Sequence, residues 1–584
     1  MLRIRWMSAS LLLMMALSLL AACGGTAPTT EAPAAPTAAP ANAPATDATP
    51  AESTPAESAP AEATGGVVTI GIGGAPDSLN PGVAYLAEAF DLFDLVYDTA
   101  LDLDLRGEYH PSLVESYTSS EDGKIWTLKV REGVKWHDGQ PLTAEDVAFT
   151  YQAIIDLEDF AFIKPYTTHF ESATALDPTT VELKLSSPVG NMEFRLSAIY
   201  ILPKHIWQPL VEANTATEFE NLEMIGSGPF AMEEYQQGTF TVLKANREHF
   251  ASPPKVDQVI FKTYANPDAL VQALRAGEVD MISELPSTTI ASLRNDANIT
   301  VVSGGARDLR DIFFNVVEPE NCPPEDGKCT GHPALRDVRV RQALAHATDK
   351  QQMIDVSLLG LATPGLSIVP DGLGEWFNSS IQDYAYDPER AKQILEEAGY
   401  VDTDGDGIRE MPGDPSTPLV FRFHIPSDIL TGPREGEMIS SMWREVGVQV
   451  NVQVLEPDTV TSICCPAFDY DVILWGWSSG ADPDLLSILT TGEIPTGMSE
   501  TGYSNPEYDE LFLQQETEVD QQKRKEIIWK MQEIAVRDVP YIIPYYPQTV
   551  QAYRNDRFQG WVVEEDAILY LPDRTSLTVI TPVK

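Results

Sequence analysis

From residue 24 to about residue 65 the chain is built almost entirely from Ala, Pro, Thr, Ser and Glu, with no aromatic side chain and almost no branched apolar one. Such a tract cannot bury enough surface to offset the entropy of ordering it, so it predicts a disordered tether and confines folding to the residues after it. Its prolines favour polyproline II, at about 3.1 Å per residue, which holds a globular body well away from its anchor. Residues 66–584 exceed what one hydrophobic core usually supports, and two or more lobes are expected.

Ahead of the tether, Arg3 and Arg5 precede an apolar run over residues 7–22. At about sixteen residues it falls short of the roughly 20 that cross a bilayer, so it predicts a targeting segment rather than a span. The run ends in Leu20-Ala21-Ala22-Cys23, which resembles the bacterial lipobox. The resemblance implies a signal peptide over residues 1–22 and a diacylated Cys23 that ties the mature chain to a membrane from outside the cytoplasm.

Composition excludes one class of partner. With 39 Lys and Arg against 87 Asp and Glu, the formal charge is −48, and nucleic acid is not an expected partner. Of the five cysteines, Cys322 and Cys329 enclose a turn-rich loop, which outside the cytoplasm predicts a local disulfide. Cys464 and Cys465 are adjacent and leave three states open: a vicinal disulfide, reduced thiols, or separate partners. No Cys-x-x-Cys or His-x-x-x-His spacing points to zinc.

After the tether, the β-branched run at residues 67–72 predicts a strand. Gly71-Ile72-Gly73 opens like a dinucleotide loop, but Pro76 stands where the third glycine belongs, and no phosphate cradle is expected. The alternation at 125–130 predicts a strand, turned by Arg131-Glu132-Gly133 into a hairpin with 134–136. Thr143 predicts a cap on a helix whose apolar face is Val147, Thr150, Tyr151, Ile154 and Ile155. Further on, a strand at 258–263, a helix from Pro267 to Ala276 closed by Gly277, and a strand at 279–282 make a β-α-β unit. Asp337 and the pair Asp387-Pro388 predict two more helix starts, the second helix stopping at Gly399. The class is α/β with at least two lobes.

Several separated segments together resemble one family, the peptide and nickel-binding group (solute-binding family 5) of ABC-importer solute-binding proteins. They include Pro111-Ser112-Leu113-Val114-Glu115, Gly133-Val134-Lys135-Trp136-His137-Asp138-Gly139 and Thr143-Ala144-Glu145-Asp146-Val147. Gly226-Ser227-Gly228-Pro229-Phe230, Ala276-Gly277-Glu278-Val279-Asp280, Glu397-Ala398-Gly399-Tyr400 and Tyr503-Ser504-Asn505-Pro506 come after them in order. The resemblance implies a two-lobed periplasmic-binding-protein-like fold, type II and cluster C-like, that shuts on its ligand by hinge closure. It also implies the boundaries: lobe I over 66–315 plus 545–584, a subdomain inserted near 85–220, and lobe II over 316–544. The expected partners are a small molecule, a short peptide first and an oligosaccharide as the alternative, and the permease subunits of the importer. The chain is expected to act as a monomer.

The same resemblance points to Asp469-Tyr470-Asp471-Val472-Ile473-Leu474-Trp475-Gly476-Trp477 as a strand running into the ligand cleft. Trp477, Ser478, Ser479, Asp482, Tyr503 and Asn315 are the candidate ligand-binding residues. In similar peptide binders an Asp soon after the Gly-Trp pair meets the peptide ammonium. Here Ser478, Ser479 and Gly480 intervene and Asp482 is the first acid, a spacing that gives weight to the oligosaccharide alternative. Asp402, Asp404 and Asp406 match the opening of an EF-hand calcium loop, but Gly413 stands where the bidentate Glu belongs, so an Asx-stabilised turn is the favoured reading and no cofactor is required. A secreted hydrolase is the distant alternative, and no His-Glu-x-x-His, Gly-x-Ser-x-Gly or distinct carboxylate pair supports catalysis.

Overall fold

The computed structural model describes residues 65–583, apart from 158, 159, 161, 162, 265, 284, 286, 428, 565 and 566. The signal segment, Cys23 and the tether up to residue 64 lie outside the described residues. Two large mixed sheets organise the rest, each with its own buried apolar cluster.

The first sheet runs Ile299–Gly304, Thr549–Arg554, Met281–Ile282, Val67–Ile72, Gln258–Thr263, Phe240–Ala245, Phe230–Gln236. Val67–Ile72 lies parallel to both Gln258–Thr263 and Met281–Ile282. Parallel neighbours need a crossover, and helix Pro267–Ala276 supplies it. The Asn266 side chain accepts from the amides of Asp268 and Ala269, and Gly277 closes the helix at φ 73°. A left-handed residue there is cheap only for glycine.

The expected inserted subdomain contains a separate antiparallel sheet, ordered Val114–Ser119, Ile125–Val130, Thr180–Leu185, Phe170–Asp177. Helix Ala144–Asp156 covers it, started by a capping box between Thr143 and Asp146. Val147, Tyr151 and Ile154 join Leu128, Val181 and Leu183 in the core shared with the first sheet. The hairpin expected between 125–130 and 134–136 does not form. Lys135 bridges instead to Pro141 around Gly139, at φ 86°, which removes 134–136 from the sheet.

The second large sheet runs Ala362–Pro364, Tyr541–Pro547, Asp308–Phe314, Val472–Ser478, Val420–Pro426, Gln449–Leu455. Strand Val420–Pro426 is parallel to both of its neighbours. Helices Val338–His346 and Pro388–Glu397 start where the sequence places them, with the Asp337 and Asp387 carboxylates accepting from backbone amides. The changeover between sheets corrects the expected limits of 315 and 545. Strands Asp308–Phe314 and Tyr541–Pro547 pair within the second sheet, so the chain crosses at 305–307 and returns at Gln548. No helix among the described residues is long and apolar enough to cross a membrane.

The C-terminal segment is fastened to the first core by charge. The Asp98 carboxylate, fully buried, receives Arg574 Nη1 at 3.0 Å, His249 Nε2 at 3.3 Å and Ser227 Oγ at 2.8 Å. Burial works against its charge, yet the bonds from His249, Arg574 and Ser227 hold the carboxyl well below the usual carboxylate range. Arg574 also donates to the carbonyls of Asp94 and Tyr97. Removing the guanidinium leaves a buried charge under-compensated, so Arg574→Met should cost about 3–5 kcal/mol in denaturant unfolding. A loss below about 1 kcal/mol would show that His249 and Ser227 suffice.

Candidate ligand-binding cleft

In open α/β sheets, small molecules settle beyond the carboxyl ends of parallel strands, where backbone groups are free and loops diverge. Both large sheets direct such ends to one place. A cavity of about 480 Å³ takes one wall from Ile72, Gly73 and Ser283, at the carboxyl ends of two parallel strands of the first sheet. The facing wall comes from Ser478 and Ser479, at the carboxyl end of Val472–Ser478. Gly305, Ala306, Arg307 and Asp308, where the chain passes between sheets, complete the lining with Thr549 and Gln551 from the strand that follows the return crossing. Glu88 and Asp91, from the start of helix Ala87–Val96, supply an acidic side. A second cavity, of about 430 Å³, lies wholly on first-lobe residues such as Lys135, His137 and Arg247 and receives nothing from the second sheet.

The six candidates from the sequence divide between lining and support. Ser478 and Ser479 line the cavity. The Ser478 hydroxyl donates to Asp308 at 2.6 Å, while the Ser479 hydroxyl is buried with no hydrogen-bond partner. Trp477 stands one residue back and is half-buried on the second core; its indole N–H donates to Glu500 at 2.9 Å. Asp482 is not placed to meet an ammonium, because both of its oxygens take Arg524, at 2.6 and 2.8 Å, inside a buried ion pair. The Arg524 guanidinium also lies over the Trp376 ring at 4.9 Å.

Tyr503 and Asn315 sit outside the cavity. The Tyr503 hydroxyl donates to Asp538 at 2.6 Å, and the Asn315 carboxamide donates to the carbonyls of Phe468 and Tyr470 at 2.8 and 2.9 Å. Both are buried and fix loops of the second lobe. The sequence reading missed Arg307, Glu88, Asp91 and Gln551. The signal available for Arg307 was the Gly304-Gly305 doublet ending a strand, a place where backbone changes direction.

Other predicted features fall away from the cleft. Cys322 and Cys329 are joined, with sulfurs 2.02 Å apart. Of the three states open to Cys464 and Cys465, the structure has the vicinal disulfide. Asp402, Asp404, Asp406 and Glu410 bring carboxylate oxygens within 4.8 Å of one another. The three aspartates accept backbone amides of their own loop, from Gly405, Gly407, Asp406 and Ile408. Glu410 accepts from Thr403. These are the bonds of an Asx-stabilised turn.

The inserted subdomain meets the second lobe beside the cleft. The Gly190 amide donates to the Glu516 carbonyl at 2.7 Å, and Gln521 Nε2 donates to the Gly190 carbonyl at 2.8 Å. A Cβ at residue 190 would come within 2.6 Å of the Gln515 and Glu518 carbonyl oxygens, so only glycine fits.

Beneath Trp477 lies an unusual pair of buried acids. Glu500 accepts from Trp477 and from the Tyr541 hydroxyl, the latter at 2.8 Å, while neither carboxylate oxygen of fully buried Asp311 has a partner. Burial pushes the Glu500 carboxyl up to about 7, and burial with the nearby Glu500 charge pushes Asp311 well above its ordinary value. A carboxyl raised by folding favours the folded state while it keeps its proton. The contribution is therefore full below the ordinary carboxyl range and is lost as pH rises through about 7. Unfolding free energy should fall between pH 5 and pH 8 by more than about 1 kcal/mol, and Glu500→Gln should flatten that slope. A variant whose slope matches the parent would remove Glu500 as its source.

The comparisons with known proteins agree with this architecture. The family described as bacterial extracellular solute-binding proteins, family 5 middle, matches residues 108–496. The chain is 27% identical over 515 residues to the oligopeptide-binding protein AppA of Bacillus subtilis (strain 168), covering 87% of this chain and 90% of that protein. It is 25% identical over 526 residues to the dipeptide-binding protein of Escherichia coli (strain K12), covering 84% and 91%. The structure of Bacillus subtilis AppA in complex with a nonapeptide superposes with a TM-score of 0.68 at 25% identity, covering 90% of this chain and all of that one.

Proposed function

The chain belongs to the family 5 bacterial extracellular solute-binding proteins, and on that premise we propose that it captures a short peptide in the cavity between its two sheets. It delivers the peptide, chemically unaltered, to the permease subunits of an ABC importer. It works outside the cytoplasm as a monomer, tied to the membrane through Cys23 and the proline-rich tether.

One observation carries the reading: a cavity draws its lining from carboxyl strand ends of both sheets and from the crossing at 305–307. Its volume of about 480 Å³ suits a small ligand rather than a macromolecule. The lining offers a guanidinium, carboxylates and hydroxyls together with exposed backbone, the groups that meet peptide amides and charged termini. The loss of Asp482 to Arg524 removes one acid from consideration, and Glu88 in the lining supplies another. Two relatives whose names specify oligopeptides and dipeptides support the same class of ligand.

Native mass spectrometry of the purified protein should release one or more peptides of a few residues. Ser479→Trp, which fills the cavity from its wall, should weaken peptide binding more than a hundredfold in calorimetry at a cost of about 1–3 kcal/mol in ligand-free unfolding. Release of an oligosaccharide, or unchanged peptide affinity in the folded variant, would overturn the reading. Cys23→Ser should move the protein from the membrane pellet to the soluble fraction, and a variant that still pellets would dismiss the lipid anchor.

A further inference from the structure

We propose that Arg307 is the anion-binding residue of the cleft and pairs with a free carboxylate of the bound ligand. The proposal deepens the assignment of peptide capture and rests on it. Arg307 is half-buried in the crossing between the sheets, and its main chain is pinned by the Ser479 amide, which donates to the Arg307 carbonyl at 2.9 Å. Its side chain lines the cavity, and Nε is shut off from solvent with no hydrogen-bond partner.

That state sets it apart from the other enclosed arginines. Arg524 holds Asp482, Arg574 holds Asp98, Arg341 donates to a set of main-chain carbonyls, and Arg310 donates to Tyr545 and the Trp475 carbonyl. Among the described residues, no carboxylate oxygen lies within ion-pair distance of Arg307. Its neighbour Asp308 is engaged by the Ser478 hydroxyl. A guanidinium held partly out of water, with donors unspent, gains most from a planar carboxylate that accepts two of its N–H groups at once. Burial lowers its affinity for the proton, in keeping with a cation whose partner arrives with the ligand.

A neutral sugar would leave the enclosed Arg307 guanidinium without a counter-charge. The ligand class selected by such a lining is a short peptide with a free carboxylate.

The test compares a tripeptide library bearing free carboxyl ends with the same library amidated at the C-terminus. Peptides retained by the purified protein are identified by mass spectrometry, and the best-retained sequence is titrated in both forms. The parent protein should bind the free acid ten- to a hundredfold more tightly than the amide. Arg307→Gln should bind the two forms alike at the weaker level, and Arg307→Lys should keep part of the preference. Retention of amides only when they contain Asp or Glu would place the paired carboxylate on a side chain, still at Arg307. Equal binding of acid and amide by the parent, for a sequence without Asp or Glu, overturns the proposal and leaves peptide capture standing. A preference that persists in Arg307→Gln also overturns it. If neither library is retained, peptide capture itself fails and the assignment of Arg307 falls with it. The parent comparison stands even if the variants fold poorly.

Discussion

The architecture depends on one antiparallel ribbon that passes through both large sheets. In the first sheet Gly304 pairs with Thr549, and in the second Arg310 pairs with Tyr545. The same two stretches of chain thus stay side by side on either flank of the gap. Each flank is locked into its own core by ladder hydrogen bonds, and the short steps at 305–307 and at Gln548, which belong to neither ladder, are where the two flanks join. Residues 305–307 line the cavity, so a ligand there would touch one of the two joints directly.

Enclosed charge is handled in three ways. Structural arginines are matched before any ligand arrives: Arg524 with Asp482 beneath the Trp376 ring, and Arg574 with Asp98. At the floor of the gap the match is withheld. Arg307 and the Ser479 hydroxyl are both enclosed and both lack partners. Unspent hydrogen-bonding capacity of this kind raises the energy of the empty molecule and favours a guest that satisfies it. The acids under Trp477 show a third arrangement, in which burial with no cationic partner raises both carboxyls above their ordinary range.

Much of the fold was legible because local rules agree with one another along the chain. Helix Pro267–Ala276 has an Asn cap, a proline in its first turn and a left-handed Gly277, and it occupies the residues that those signals mark. The hairpin expected after Val130 failed because strand partners are chosen by tertiary packing. Ile125–Val130 found a mate at Thr180–Leu185, far along the sequence. The changeover between lobes was misjudged for the same reason, since no residue near 305 announces which sheet the next strand will join. In the cleft, Ser478 and Ser479 could be read from the strand that carries them. Asp482 shows the limit of spacing as a guide: its role turns on Arg524, a residue forty-two positions away that only folding brings close. Arg307 carries no motif, and its meaning comes from what it does not touch.

The clasp at Gly190 has its own consequence. It joins the inserted subdomain to the second lobe through an amide, a carbonyl and a carboxamide, none of which carries charge. Dissolved ions screen charges and leave such bonds nearly untouched. In a chain whose formal charge is −48, this contact is therefore one that ionic strength leaves alone.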